Sequence, residues 1–433
     1  MQKTFNIGLC GLGTVGTGVV KILQKHQNEI VHQIGYPIEV KKILVNNMDK
    51  KREGNIPLSL LTDKVEELVE HPDIDVIVEV MGGIEETYEV LEKAIQNKKH
   101  IVTANKDMMA IYGSSLLQFA SENECDVRYE ASVAGGIPII RSLTDGLASD
   151  RIHKIMGIVN GTTNYILTKM IEQNRSFEDV LLEAQQLGYA EADPSSDIDG
   201  LDAARKVSLL STLAFSMSVQ LQDVDVRGIR DMSYDDLFYA EQLGYTMKLL
   251  GIASRDEGKI EMSVQPTLVP HHHPLASIKD EYNAVYVYGE AVGETMFYGP
   301  GAGQLPTATA VVSDLMDVVK NIRLGVTGKT SVQPQFETKL KHSSEIYSKF
   351  FFRLEADDET GTFLAITSVF AEEKVSLDKI LQMPKQGRAT AEIVLITHEA
   401  SKEQIDNVLH KLESLQVING IHSYYRVEGE GEA

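Results

Sequence analysis

Between Gly188 and Lys206 the chain reads GYAEADPSSDIDGLDAARK, with five carboxylates, Glu191, Asp193, Asp197, Asp199 and Asp202, ahead of its first base. Arg205 and Lys206 follow. Such a stretch can be a solvated acidic surface, or it can hold a cation and act on it. Glycine and proline in GYAEADPSSD argue against a regular helix, so a wrapping loop is expected there. LDAARKVSLLSTLAF beyond it has helical periodicity, and Asp202 and Lys206, four apart, share one face. An exposed pair of that kind contributes little. Because the helix is otherwise apolar, Lys206 is expected near a buried face, where an amine can exchange a proton.

A second chemical pattern stands at the N-terminus. GLGTVG places Gly11, Gly13 and Gly16, with Thr14 and Val15 between them, directly after the strand-like FNIGLC. Glycines at this spacing allow a tight turn, a close approach to pyrophosphate and close helix packing. Free amides at a helix start then face the phosphate charge. The position of the usual ribose-binding acid reads Asn46-Asn47-Met48-Asp49, followed by Lys50, Lys51 and Arg52. A missing acid beside bases leans toward NADP, while Asp49 leaves NAD open and the basic cluster also reads as a solvated turn.

Other candidates read as structural. His271, His272 and His273 lie between Pro270 and Pro274. Adjacent rings diverge in an extended loop, which favours a surface segment over a metal site. Cys10 belongs to a strand core, and Cys125, the one candidate thiol nucleophile, has no histidine near it in sequence.

The elements that must position these residues are legible as a pattern. Residues 1–130 alternate strand and helix signals: FNIGLC, a helix over 14–34, EVKKILV, a helix over 65–69, IDVIVEVMGG, a helix over 87–96, HIVTAN, a helix over 114–122 and DVRYEAS. This alternation predicts an α/β fold with a Rossmann-type, doubly wound parallel sheet over residues 1–135, to which 300–325 returns. Residues 136–299 predict a mixed α+β substrate and dimerisation domain. Its strands are IHKIMGIV, GIASRDEGKIEMSVQPTLV and NAVYVYGEAV, and its helices cover 163–172, 177–187 and 201–215. Residues 326–348 read as a linker. Residues 349–426 show a βαββαβ, ferredoxin-like pattern, and GEGEA is a frayed tail.

Composition narrows the class. A chain of 433 residues needs more than one core. A net charge of −22 argues against nucleic acid and anionic membrane surfaces as partners. Two cysteines build neither a disulfide framework nor a CxxC metal site. QKTFNIGLCG has no signal-peptide pattern, and a soluble protein of a reducing cytoplasm is expected.

The long motif from Ala184 to Lys206 resembles the signature of homoserine dehydrogenases, and VEVMGG, TANK, EASVAGGIPII, NGTTNYIL and GPGAG resemble that family's blocks in order. DDETGTFLAITSVFAEEKVSL resembles an ACT domain, with Asp357, Asp358, Gly361 and Phe363 at the loop-to-helix turn. The resemblance implies NAD(P)-dependent interconversion of L-homoserine and L-aspartate 4-semialdehyde in threonine and methionine biosynthesis. It implies that Glu191, assisted by Asp197, holds the substrate ammonium, with Tyr189, Gly161 and Thr162 around the rest. Lys206 becomes the acid/base, oriented by Asp202, and Lys106 faces the reacting oxygen beside the nicotinamide. Gly82 and Gly303 join the cofactor contacts. Glu130, with the carbonyls of Val133, Gly135 and Ile137, becomes a monovalent cation site suited to Na⁺, although from the residues alone a plain turn serves equally. Asp193 and Asp199 take capping or solvated roles. A threonine effector and a homodimer or homotetramer are further implications. Two rival readings remain: a nonenzymatic amino-acid sensor, and a dehydrogenase of another small semialdehyde. A fused aspartate kinase is not expected, since nothing precedes the first strand.

Overall fold

The structure is a computed structural model that describes residues 3–50, 56–329, 334–384 and 389–428. Lys51 and Arg52 of the basic turn and the GEGEA tail lie outside the described residues. In chain order the first elements are β1 (Phe5–Cys10), α1 (Thr14–Lys25), α2 (Gln27–Ile34), β2 (Ile38–Leu44), β3 (Leu61–Thr62), α3 (Glu66–Val69), β4 (Val76–Glu79), α4 (Glu85–Gln96), β5 (His100–Thr103), α5 (Lys106–Glu122) and β6 (Val127–Arg128). Next come α6 (Ile139–Arg141), β7 (Ile152–Ile158), α7 (Gly161–Gln173), α8 (Phe177–Leu187), α9 (Ser195–Ile198), α10 (Leu201–Phe215), β8 (Asp225–Val226), α11 (Tyr234–Gln242), β9 (Tyr245–Asp256) and β10 (Lys259–Pro270). The chain continues with β11 (Tyr282–Gly289), β12 (Gly293–Pro300) and α12 (Gln304–Leu324). It ends with β13 (Tyr347–Asp357), α13 (Thr362–Glu372), β14 (Leu377–Pro384), β15 (Thr390–Thr397), β16 (Ala400–Ser401), α14 (Lys402–Glu413) and β17 (Ile418–Val427).

Two compact units result. The first holds Met1–Val159, Ala204–Val224 and Tyr282–Thr338. Its six-stranded sheet is parallel throughout, in the order β3-β2-β1-β4-β5-β6. That is the doubly wound order of dinucleotide-binding sheets. β4, VIVE, is buried along its whole length, as a strand covered on both faces must be. α12 returns to this sheet and packs on α1 so closely that a Cβ on Gly18 would lie 2.4 Å from the Gln304 carbonyl oxygen. An antiparallel set, β7-β11-β12, belongs to the same unit.

The second unit holds Asn160–Ala203, Asp225–Glu281 and Lys339–Ala433. β9 and β10 form a long hairpin, and β10 also pairs in parallel with β8 and with β17. From β17 the sheet runs through β13 and β15 to β14, the ferredoxin-like order, with α13 and α14 above it. A buried polar cluster backs this seam. Arg353 donates to Asp236 and to Glu392, each at 2.7 Å, and Ser423 and Tyr425 also donate to Asp236. Asp236 closes a capping box with Ser233 at the start of α11.

Several boundaries differ from expectation for local reasons. The helix over 14–34 breaks at His26, whose φ of −108° and ψ of 23° end α1 before α2 begins. α5 starts at Lys106 rather than near Ser114, because the Asn105 side chain accepts from Met108 N and caps it. β6 is only two residues long, and Glu130–Ser132 turn into a short 3₁₀ helix. β12 and α11 carry too little apolar periodicity to announce themselves. A one-turn helix, α9, interrupts the acidic loop.

Candidate active site

The three glycines of GLGTVG divide the work that a dinucleotide site needs. Gly11 turns at a φ of 101°, and a Cβ there would come within 2.8 Å of the Val80 carbonyl oxygen. A Cβ on Gly16 would lie 2.2 Å from the Gly11 carbonyl oxygen, so helix and turn could not close. Around Gly13 nothing stands within 4 Å. Gly13 is also the N-cap of α1 and supplies no side-chain cap, which leaves the first-turn amides for a ligand. A nicotinamide dinucleotide therefore fits this cradle.

Beside it, Glu79 ends β4 fully buried. It accepts from the amides of Met81 and Gly82 at 2.8 and 3.2 Å and from Thr103 Oγ1 at 2.5 Å. Burial pushes its carboxyl above the usual range, and these donors oppose the shift. Thr103 Oγ1 in turn accepts from Asn105 N, and Asn105 Nδ2 donates to Gly83 O at 2.6 Å. This chain of bonds fixes the VEVMGG turn and delivers Lys106 at the first position of α5. Sequence reasoning missed Glu79, Thr103 and Asn105; their signal was the alternation of polar groups at the ends of two buried strands.

A cleft of about 300 Å³ opens above these groups, lined among others by Val15, Gly82, Lys106, Ser132, Lys206 and Ala302. The structure thus brings both candidate lysines to one cavity with two of the cofactor candidates. Gly303 is the N-cap of α12, next in sequence to Ala302, at a φ of 123°. Lys206 is 9% exposed, and its Nζ donates to the Val159 carbonyl oxygen at 2.6 Å. Arg205, its neighbour, pairs with Asp107 at 3.0 Å. At the ribose end, Asn46 and Asn47 follow β2, and Asn47 Oδ1 accepts from Asp49 N at 2.9 Å.

The acidic loop lies in the second unit, and one unassigned residue organises it. Asn160, buried at the N-cap of α7, donates to Asp197 Oδ1 at 2.7 Å and to Asp202 Oδ2 at 2.8 Å. Gly161 follows, where a Cβ would lie 2.6 Å from the Glu281 carbonyl oxygen. Thr162 Oγ1 donates to the Tyr189 carbonyl oxygen at 2.6 Å, and the Tyr165 and Tyr189 rings lie 4.8 Å apart. Asn160 thus ties Asp197 to Asp202, while Thr162 holds the backbone at Tyr189. Glu191 stands exposed on the loop, its carbonyl oxygen accepting from Gln185. Asp193 accepts from the Ser195 amide at 3.1 Å, and Asp199 pairs with Arg230.

Glu130 is buried, and its Oε1 and Oε2 accept from the amides of Ile140 and Arg141 at 2.7 and 2.8 Å. Its own amide donates to Asp314, whose carboxyl is pushed up to about 7 by burial, with the charge of Glu130 adding. The turn beyond it holds two consecutive left-handed residues, Ala134 and Gly135, at φ 55° and 56°. A Cβ on Gly135 would lie 2.3 Å from the Gly301 carbonyl oxygen. Hard oxygen donors on such a turn fit a hard monovalent cation.

The remaining candidates have structural partners. His271 faces Glu241 at 3.3 Å, and His273 accepts from Leu275 N. Among the described residues no group of three or more His, Cys, Asp or Glu could hold a metal ion. Cys10 and Cys125 are both buried, and burial pushes the Cys125 thiol up to about 11. Among the described residues no helix is long and apolar enough to cross a membrane.

Comparison with known proteins gives the same picture over the whole chain. Residues 11–130 match the homoserine dehydrogenase NAD binding domain, 138–316 match homoserine dehydrogenase, and 351–416 match the ACT domain. The homoserine dehydrogenase of Bacillus subtilis (strain 168) is 57% identical over 431 residues, covering 99% of this chain and 100% of that one. The crystal structure of a homoserine dehydrogenase from Thiobacillus denitrificans superposes with a TM-score of 0.93 at 39% identity, covering 99% of each chain. A hyperthermophilic archaeal homoserine dehydrogenase in complex with NADPH aligns over 73% of this chain and 98% of its own, at 28% identity and a TM-score of 0.61. With a dinucleotide cradle, a cleft holding two lysines and relatives matched from end to end, this chain belongs to the homoserine dehydrogenase family, oxidoreductases acting on a CH–OH group.

Proposed function

We propose that the enzyme interconverts L-homoserine and L-aspartate 4-semialdehyde with NADP in preference to NAD, using Lys206 as acid/base and Lys106 as the electrostatic partner of the reacting oxygen. The observation that supports this most is the presence of both lysines in one cleft with Val15 and Gly82. When bound, the nicotinamide ring takes up or returns the hydride. Lys206 accepts the hydroxyl proton during oxidation and returns one to the aldehyde oxygen in the reverse direction. Asp202, one turn earlier on α10, orients it. The charge of Lys106 stabilises the oxyanion that develops on the same oxygen. Glu191, assisted by Asp197, holds the substrate ammonium by charge-assisted hydrogen bonds, and Tyr189, Gly161 and Thr162 surround the remainder.

The cofactor preference rests on the turn after β2, where Asn46 and Asn47 stand in place of the acid that grips a ribose diol. Gly11, Gly13, Thr14 and Gly16 hold the pyrophosphate, and Gly303 closes the cofactor side at α12. Glu130, with the carbonyls of Val133, Gly135 and Ile137, holds a Na⁺ ion whose role is to stiffen the turn against Gly301. The ACT domain senses threonine at the turn of Asp357, Asp358, Gly361 and Phe363, where Gly361 caps α13 at a φ of 99°. The enzyme works in the cytoplasm as a homodimer or homotetramer, in the supply of threonine and methionine.

Steady-state assays with homoserine and each cofactor, with and without threonine and Na⁺, test these statements together. A higher kcat/KM with NADP, inhibition by threonine and a rise in Tm with Na⁺ are expected. Equal kcat/KM values would remove the cofactor preference. Unchanged rate and Tm on adding threonine would remove the effector.

A further inference from the structure

β8 is two residues long, and the residues just after it touch two functional parts of the second unit. Asp225 and Val226 pair in parallel with Ser263 and Val264 of β10, and Arg227 N donates to Val264 O at 2.8 Å. On one side stands the C-terminal domain. Arg227 Nη1 donates to the Tyr424 carbonyl oxygen at 2.7 Å, and its guanidinium lies 4.7 and 5.1 Å from the ring centroids of Tyr424 and Tyr425. Lys402, the first residue of α14, reaches Asp225 at 2.8 Å.

On the other side stands the acidic loop. Ile229 N donates to Ile198 O at 2.8 Å, and a Cβ on Gly228 would lie 2.1 Å from that same oxygen and 2.5 Å from Asp199 Cα. Arg230 clasps Asp199 with two bonds of 2.9 and 2.8 Å and reaches Ser195 Oγ at 3.4 Å. Gly200, at a φ of 84°, packs so closely that a Cβ there would lie only 3.2 Å from the Val226 and Val264 side chains. The Arg230–Asp199 pair is largely exposed and contributes little alone. What fixes the loop is the backbone approach at Gly228, since two main chains in contact cannot give way as side chains do.

We propose that residues 225–230 are a positioning strap, held by the C-terminal domain at Asp225 and Arg227, that sets the loop of Glu191 and Asp197 and hence the affinity for the amino-acid end of the substrate. The inference rests on the reading of that loop as the ammonium-binding segment. The strap residues act through Ile198, Asp199 and Gly200. Asp197 lies next to that contact and is itself tied to Asn160.

Two full-length variants test it, Arg227→Met and, at an exposed position, Lys402→Met. Each is assayed for homoserine KM, cofactor KM, kcat and Tm, with Glu191→Gln as a control on the loop itself. Arg227→Met should raise the homoserine KM by about 5-fold or more, a typical coupling between sites, and leave the cofactor KM unchanged. Lys402→Met should act in the same direction and less strongly. A homoserine KM unchanged in both Arg227→Met and Lys402→Met would overturn the strap, and so would a cofactor KM rising in step with it. If Glu191→Gln binds homoserine normally, the reading of the loop fails instead. If Glu191→Gln weakens homoserine while Arg227→Met does not, only the strap fails.

Discussion

Asn160 Nδ2 lies 2.8 Å from Asp202 Oδ2, which ties the cap of α7 to the first turn of α10, the helix that carries Lys206. Asn160→Ala removes the helix cap and a partner of buried Asp202 in one step. A stability loss of about 2 kcal/mol or more is expected. Homoserine KM should rise while cofactor affinity is kept. Denaturation midpoints and separate KM values check both halves, and an unchanged homoserine KM would confine Asn160 to folding.

Lys206→Met should lower kcat by about 10²- to 10⁴-fold, the usual share of a positioned acid/base. Binding of NADPH, followed by its fluorescence, should persist because the glycine cradle is untouched. Near-normal turnover would take Lys206 out of the mechanism.

Gly13→Ala and Gly16→Ala should fail differently. At Gly13 a Cβ meets no protein atom within 4 Å, so the variant should fold with normal Tm and lose cofactor affinity. At Gly16 the Cβ would meet the Gly11 carbonyl oxygen at 2.2 Å, and Tm itself should fall. Equal thermal stability of the two variants would contradict this division of roles.

Lys248 gives a pH test of stability. It is buried on β9, donates to Asn164 Oδ1 and Ile278 O, and has its pKa pulled down to about 8, chiefly by burial and then by the charge of Lys279. Below pH 8 the folded state bears the whole cost of the buried charge. As pH rises from about 8 to 10.5 the folded protein releases its proton before the unfolded chain does, so this contribution turns toward stability. Relative to Lys248→Met, the wild type should gain roughly 3 kcal/mol across that window. A stability difference independent of pH would show that Lys248 stays charged throughout.

Arg353→Met should cost about 3–5 kcal/mol, because Asp236 and Glu392 would keep their buried charges without their shared guanidinium. Chemical denaturation of the full chain measures it. A loss below about 1 kcal/mol would mean that the pair is no stronger than a surface contact.

The fold was legible where local signals were strong. The glycines, the hydrophobic strands and the C-terminal βαββαβ pattern each specify their element within a few residues. The acidic motif marked a loop, and its resemblance supplied roles that spacing alone does not give. What escaped was everything made by long-range contact. Asn160, Glu79 and Arg230 look unremarkable in sequence and gain their roles only from partners 37, 24 and 31 residues away. The Thr267 and Arg426 pairing joins strands whose register no local pattern encodes. The helix break at His26 is equally silent, since neither glycine nor proline marks it.

That β10–β17 ladder has a practical corollary for anyone wishing to cut the ACT domain away. Sawing off the tail at the connector would bare the flank of β10 and leave Glu261 without Arg426, its interior counterpart. Truncated versions should therefore precipitate, whereas single replacements on the tail's outer surface should stay in solution.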